Sequence, residues 1–327
     1  MRNLSSRRKK NFPKRLLPLA VLAVGLATLI NLSLYLLTKN SEPVDSLGLE
    51  AEAEAFSVLE NDFSFQATPS SALSKPLGSL TVPIEVAESQ QIPNLENLQK
   101  LLMHHMDAMG GWRNWNQVES ICTRGIITRD NKNFPLVVVK KKPHLVRATV
   151  TLPAHKDNNA KIQVIRGHDG LAAWSAMRLV GELDIQKEAL SKDDADELYA
   201  ETGVLPPLIK FWQEDAAIQL LGLATIEGTL HYKLRVQPIG MDSHYVFYLS
   251  SVDHRVHQYE YVKNNIIVNR VFLKEYAEHK GVVVPMIIIT QSELTGDSIV
   301  TTSSVEIGVG IYNDYFEPDQ SIVSIKL

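Results

Sequence analysis

The chain reads as an α+β protein in which a large antiparallel β-sheet carries a few helices and stands behind an N-terminal transmembrane helix. Three observations predict this. Two runs of short, apolar-rich segments separated by tight turn signals lie between Ile121 and Val309. A stripe of apolar residues at helical spacing lies just before them, and the stretch Leu16 to Leu37 carries no charge at all.

A length of 327 residues with 45% hydrophobic and 7% aromatic content is enough to bury a sizeable core. The formal net charge of -4 is an average over an uneven chain, because Arg2, Arg7, Arg8, Lys9, Lys10, Lys14 and Arg15 precede any acid. Cys122 is the single cysteine, which excludes an internal disulfide and any multi-cysteine metal site. With no cationic helix terminus beside it, Cys122 reads as a small buried apolar residue rather than a reactive thiol.

The uncharged stretch, LLPLAVLAVGLATLINLSLYLL, is about 22 residues long, and at a rise of about 1.5 Å per residue it covers roughly 33 Å. That crosses a hydrocarbon core of about 30 Å, whereas a cleavable signal would have a shorter apolar region and a small-residue cleavage site. No cysteine follows it to accept a lipid, so the helix itself is the expected tether. Basic residues before it and Glu42, Asp45, Glu50, Glu52 and Glu54 after it place the N-terminus in the cytoplasm and the body of the chain outside. From Lys39 to about Ile92 the sequence turns to Ser, Pro, Glu and Ala, an acidic spacer that buries too little apolar surface to order itself.

At Pro93-Asn94 the pattern changes. Asn94 is placed to cap a helix in which Leu95, Leu98, Leu101, Leu102, Met106 and Met109 recur at three- and four-residue spacing. Gly110 suits the left-handed residue that ends such a helix, and Gly111 lets the chain turn. Trp112 and Trp115 then supply large rings to pack where the helix meets the strand ICTRGIIT.

Strands are expected at Phe134–Lys142, Leu145–Leu152, Lys161–Ile165 and Leu171–Met177. Ser191 is an N-cap for one or two short helices across Lys192 to Asp215. A second run follows at Ile218–Ile226, His231–Val236, Tyr245–Leu249, Arg255–Val262, Ile266–Tyr276, Val282–Leu294 and Ile299–Val309, punctuated by Glu227-Gly228, Asn264-Asn265 and Lys280-Gly281. In the last of these, Ile299, Thr301, Ser303, Val305, Ile307 and Val309 are expected to share one face. Such short turns imply antiparallel neighbours, and a sheet apolar on both faces in places is covered on one side and curved around something on the other.

No nucleophile elbow, zinc-protease helix, phosphate loop or dinucleotide-binding glycine pattern is present, so the sequence points away from an enzyme and names no cofactor. His104 and His105 point about 100° apart on a helix, a poor arrangement for one metal and an ordinary one for a helix surface. His254 and His257 fall on opposite faces if they share a strand. Lys140 to Lys142 reads as a solvated strand edge or a contact for anionic headgroups. Nucleic acid is not an expected partner, since no extended basic stripe exists.

The helix ending in AMGGWRNWNQVESI, the strand pair FPLVVVKKKPHLVRATV, the hairpin IQVIRGHDGLAAW, then LLGLATIEGTLHYKLRV and KEYAEHKGVVVPMIIITQSEL, taken in that order, resemble the LolA-like superfamily of periplasmic lipoprotein-carrier and lipoprotein-sorting proteins. The resemblance covers Asn94 to about Pro318. It implies a half-barrel, a strongly curved antiparallel sheet whose concave apolar side is covered by helices and holds acyl chains. Trp174, Phe211, Trp212 and Met286 are the expected pocket residues, by size and position, with no metal among the ligands. The domains expected are a basic cytoplasmic segment (1–15), a transmembrane anchor (16–38), an acidic linker (39–92) and the half-barrel (93–327). The function implied is an inner-membrane-anchored, periplasmic binding protein for a lipid or an acylated protein. The alternative is an envelope sensor or scaffold that docks on a membrane protein partner.

Overall fold

Hairpins build the molecule, and their turns explain why. At Asp130-Asn131, Glu227-Gly228, Asn264-Asn265 and Lys280-Gly281 both central residues have positive φ, between 48° and 84°. Two-residue turns of this hand match the right-handed twist of the strands they join. The computed structural model describes residues 96–155, 158–181, 186–293 and 295–317. The expected anchor at 16–38, the linker at 39–92 and the capping Asn94 lie outside the described residues. Among the described residues no helix is long and apolar enough to cross a membrane.

Helices α1 (Glu96–Ala108) and α2 (Gly111–Gln117) open the fold. Strands β1 (Ser120–Arg129), β2 (Lys132–Lys141), β3 (Leu145–His155), β4 (Asn158–Asp169), β5 (Ala173–Leu179) and β6 (Gln186–Ala189) form a first meander. Helices α3 (Lys192–Ala200) and α4 (Pro207–Gln213) lead to a second meander of β7 (Ala217–Ile226), β8 (Thr229–Gln237), β9 (His244–Ser250), β10 (Val256–Lys263), β11 (Ile266–His279), β12 (Val282–Ser292) and β13 (Ser298–Ile307). A 3-10 turn, Asn313–Phe316, follows. The expected strands all form, and three elements were not foreseen: the short helix α2, the edge strand β6 and the closing 3-10 turn.

Among the described residues all strands lie in one antiparallel sheet of 13, ordered β6-β5-β4-β3-β2-β1-β13-β12-β11-β10-β9-β8-β7. The meanders meet where β1 pairs with β13, from Ile121 opposite Ile307 to Thr128 opposite Ile299. Curvature follows from what the connecting helices touch. Leu198 of α3 packs with Val138, Val146 and Val164 of the first meander. Phe211 of α4 packs with Phe247, Tyr261 and Val271 of the second. Two short adjacent helices reach both arms only if the sheet bends around them.

The last strand does not keep one face throughout. Arg124 pairs with Ser304 and Gly125 with Thr302, so Ser303 is an extra residue on β13. Val300 and Thr302 are buried before this bulge, and Ile307 after it, in place of the unbroken odd-numbered face that period two predicts. Gly125 permits it: a Cβ there would stand 2.3 Å from the Thr301 carbonyl oxygen.

The convex face is covered in part by the 3-10 turn that follows β13. Phe316 is fully buried with Cys122, Val139 and Leu145. The Arg147 guanidinium lies 4.7 Å from the Tyr315 ring and donates to the Tyr315 carbonyl at 2.7 Å. Cys122 is thus an interior residue, and burial raises its thiol pKa.

The lysine run is not a sheet edge, because β2 has β1 and β3 on either side. Lys140 pairs with Glu201 at 2.8 Å, Lys141 donates to the Ile311 carbonyl at 2.6 Å, and Lys142 donates to the Asn116 carbonyl at 2.8 Å. Each ammonium fastens a different neighbouring segment to the sheet.

The glycine-tryptophan joint locks α1 to the β11–β12 hairpin. Gly110 has φ 109° and lies so near Gly281 that a Cβ would come within 2.1 Å of the Gly281 oxygen. Substitution Gly110→Ala is expected to cost roughly 2–4 kcal/mol through this clash and the left-handed backbone, read as a lower urea midpoint with an unchanged slope.

Candidate functional site

The end of α1 illustrates how the helices are held over the sheet. A helix leaves its last carbonyls without internal partners, and here each finds a donor from elsewhere. Ala108 accepts from Arg255 Nε at 3.3 Å, Met109 from Trp115 Nε1 at 2.7 Å and from Val283 N at 3.0 Å, and Gly110 from Asn114 Nδ2 at 2.8 Å. The side chains below α1 are positioned as firmly as the helix itself.

Beneath this cover is an apolar cavity of about 180 Å³. An apolar cavity of about 150 Å³ already accommodates a benzene molecule. Its floor comes from the middle of the sheet, with Leu136 and Val138 of β2, Leu273 of β11, Ile288 of β12 and Val300 of β13. Met109 and Trp115 form one wall, and Leu205, Pro206 and Leu208 between and within the connecting helices form the roof. Proline at 206 and 207 suits the first turn of α4, where its missing N–H is no loss.

The polar groups in this wall are few. Lys140 and Glu201, bridged at 2.8 Å with side chains 20% and 15% exposed, are the charged pair and face partly outward. The others are neutral, notably Thr290 and His105.

His105 is 1% exposed, against the expectation of a helix-surface position; its neighbour His104 is exposed and stacks on His254 with ring centroids 5.0 Å apart. His105 Nδ1 lies 2.8 Å from the His254 carbonyl oxygen. A carbonyl only accepts, so Nδ1 carries the proton and Nε2 bears the lone pair. That Nε2 has no hydrogen-bond partner, and neither has Thr290 Oγ1, also in the cavity lining. Leaving such a group buried and unpaired costs about 1–3 kcal/mol. Burial, the dominant influence, lowers the His105 pKa to about 4.

The four residues expected to form a pocket lie apart from this wall. Trp174 is on the convex face, beneath Arg147 and donating from Nε1 to the Phe316 carbonyl at 3.0 Å. Phe211 points from α4 into the core, its ring 5.1 Å from that of Tyr245. Trp212 is half-buried against Trp112, with ring centroids 5.9 Å apart. Met286 is half-buried on β12, between Pro285 and Ile288, which do line the cavity. Trp115, expected only to pack the joint, does that and forms cavity wall as well.

His254 lies in the turn before β10, not on a strand. His257 spans from His231 Nε2 at 3.1 Å to Asp253 Oδ2 at 3.2 Å. Among the described residues no three metal-ligating side chains converge.

Lys210 holds the roof together. Its ammonium lies 3.6 Å from the Tyr199 ring centroid and donates to the Tyr199 carbonyl at 2.6 Å, fastening α4 to α3. Burial lowers its pKa to about 8.

No family model matches the chain, and neither does any curated protein. The chain is similar to several solved structures. A DUF1329 family protein from Desulfovibrio piger is 14% identical over 67% of this chain and 96% of that one, with a TM-score of 0.47. An outer membrane lipoprotein-sorting protein domain from Vibrio parahaemolyticus is 12% identical over 68% and 97%, with a TM-score of 0.46. A LolA superfamily protein from Nitrosomonas europaea is 12% identical over 67% and 96%, with a TM-score of 0.45.

The depressed His105 pKa makes a prediction about stability. Its folded value of about 4 lies below the ordinary 6.5, so the unfolded chain binds the extra proton first as pH falls. The stability present above pH 6.5 is therefore lost between there and pH 4, by about 2 kcal/mol between pH 7 and pH 5. Urea unfolding at the two pH values is expected to show this loss, and His105→Gln to remove that part of it.

Proposed function

We propose that this protein is a non-catalytic binding protein of the bacterial envelope whose half-barrel takes up an alkyl chain of a lipid or an acylated protein, shields it from water and hands it on. The observation that supports this most is the apolar cavity between the concave face and the helices, roofed by a short Pro-containing segment around Leu205 to Leu208. In this reading residues 16–38 hold the chain in the inner membrane, with the N-terminus in the cytoplasm and the half-barrel in the periplasm. The linker of about 54 residues between them then has a reach of roughly 40 Å, which lets the domain work near its own membrane.

Burial of each methylene contributes about 0.8 kcal/mol, so ten of them supply roughly 8 kcal/mol against an association cost of about 4–15 kcal/mol. The two terms are of similar size, so a chain of this length is held at most weakly, which suits a cargo that must be released. Movement of the roof formed by α3, α4 and their loop is the proposed gate.

Mass spectrometry of the protein purified gently from envelopes is expected to show a lipid or acyl peptide at near-stoichiometric amount. Substitution Leu205→Trp, which fills the cavity from its half-buried rim, is expected to reduce loading with a fluorescent fatty acid at least tenfold while the unfolding midpoint stays close to that of the parent. A clean unliganded mass together with refusal of the fatty acid would refute carriage and favour docking on a protein partner.

A further inference from the structure

The cavity has one feature that alkyl burial does not use. His105 lines it, is buried, and presents an Nε2 lone pair with neither a protein partner nor access to solvent. The Nδ1 proton is committed to the His254 carbonyl, so the ring has a fixed tautomer and a fixed orientation. The helix carrying it cannot shift easily, since Arg255, Trp115 and Val283 hold its terminal carbonyls. Thr290 Oγ1 on β12, a second unpartnered polar atom, also belongs to the cavity lining.

We propose that His105 Nε2 is the hydrogen-bond acceptor for a hydroxyl group on the bound alkyl chain. The site thereby selects a hydroxylated chain over one of equal size that lacks a donor. The inference rests on the cavity being a binding site for alkyl chains, and it specifies which chains. A neutral imidazole offers only an acceptor at Nε2, so an ether or ester oxygen, which also only accepts, leaves it unpaired. A hydroxyl pairs with it. A site built to pair with a hydroxyl discriminates against the analogue without one because its own buried groups are left unsatisfied. The charged pair Lys140–Glu201 stands elsewhere in the wall and already satisfies itself.

The test compares two isomers of identical formula, 1-octanol and 1-methoxyheptane, titrated calorimetrically into the full chain, with the same preparation lacking protein as the blank. The parent protein is expected to bind the alcohol about tenfold more tightly, equivalent to about 1.4 kcal/mol. His105→Phe is expected to bind the two alike, with the ether retained at parental strength. His105→Gln keeps a donor for the His254 carbonyl and an acceptor for the ligand, and is expected to restore the preference. Should the phenylalanine variant fail to fold, the nitrogen spectrum of labelled histidine in the parent protein reads the same contact: the His105 Nε2 resonance, identified by its loss in His105→Gln, is expected to move with the alcohol and not with the ether. Equal binding of both isomers by the parent protein, or a preference that survives His105→Phe, would overturn the hydroxyl site while leaving alkyl binding intact. Binding of neither isomer would overturn the cavity reading and the hydroxyl site together.

Discussion

The ladder between β1 and β13 turns two meanders into one surface. Separately, each would be an open sheet with an exposed edge at its middle, and neither would enclose anything. Their pairing sets Thr123 of β1 opposite Val305 of β13, and these two line the cavity together with Ile121, Val300 and Thr302 of the same strands. The extra residue at Ser303 matters here. Without it the alternation that puts Val300 and Thr302 inside would send Val305 and Ile307 outside, and half of the seam would present its apolar residues to water. A single bulge, admitted by the absence of a side chain at Gly125, keeps both halves of β13 inward and adds local twist where the sheet must bend.

Over that seam the helices are anchored by saturation. Around the end of α1 the backbone oxygens are paired by Arg255, Trp115, Asn114 and Val283, and the roof is drawn together by Lys210 on Tyr199. Against this background the bare Nε2 of His105 stands out. It would be a simple matter for a leucine to fill the same place at no polar cost, and a buried imidazole with one nitrogen idle is a destabilising choice unless something else completes it. The cavity and the idle nitrogen therefore have one explanation in common, while the Lys140–Glu201 pair, partly solvated and mutually satisfied, needs none.

Most of the strand plan was legible because it is written in local terms: period-two alternation and positive-φ turn pairs such as Asn264-Asn265 and Lys280-Gly281 act over a few residues. Gly110 and Ser191 were legible for the same reason, and Ser191 does accept from the Asp194 amide at 3.2 Å. The wall of the cavity was not. Alternation says that Trp174 and Ala173 face opposite ways but not which way is concave, and the choice is made by where the distant Tyr315 and Phe316 settle. Ring size likewise pointed to Phe211, whereas the helix turns Phe211 into Tyr245 and leaves its smaller neighbour Leu208 to face the space. His105 was hidden by adjacency to His104, since their shared helix puts one in water and the other in the core. The bulge at Ser303 depends on a partner strand about 180 residues away, beyond the reach of any local pattern.

That separation has a kinetic side. Each meander assembles from neighbours in sequence across short connections, which is fast, but β1 waits for β13 across nearly the whole described chain. During synthesis β13 is among the last segments to emerge, so β1 spends that interval as an unpaired edge with Ile121, Cys122, Ile126 and Ile127 along it. An apolar edge left open is a template for the wrong strand, whether from another copy or from the same chain. The architecture that creates an interior only when its two ends meet thus also sets the longest-lived vulnerability on its folding route.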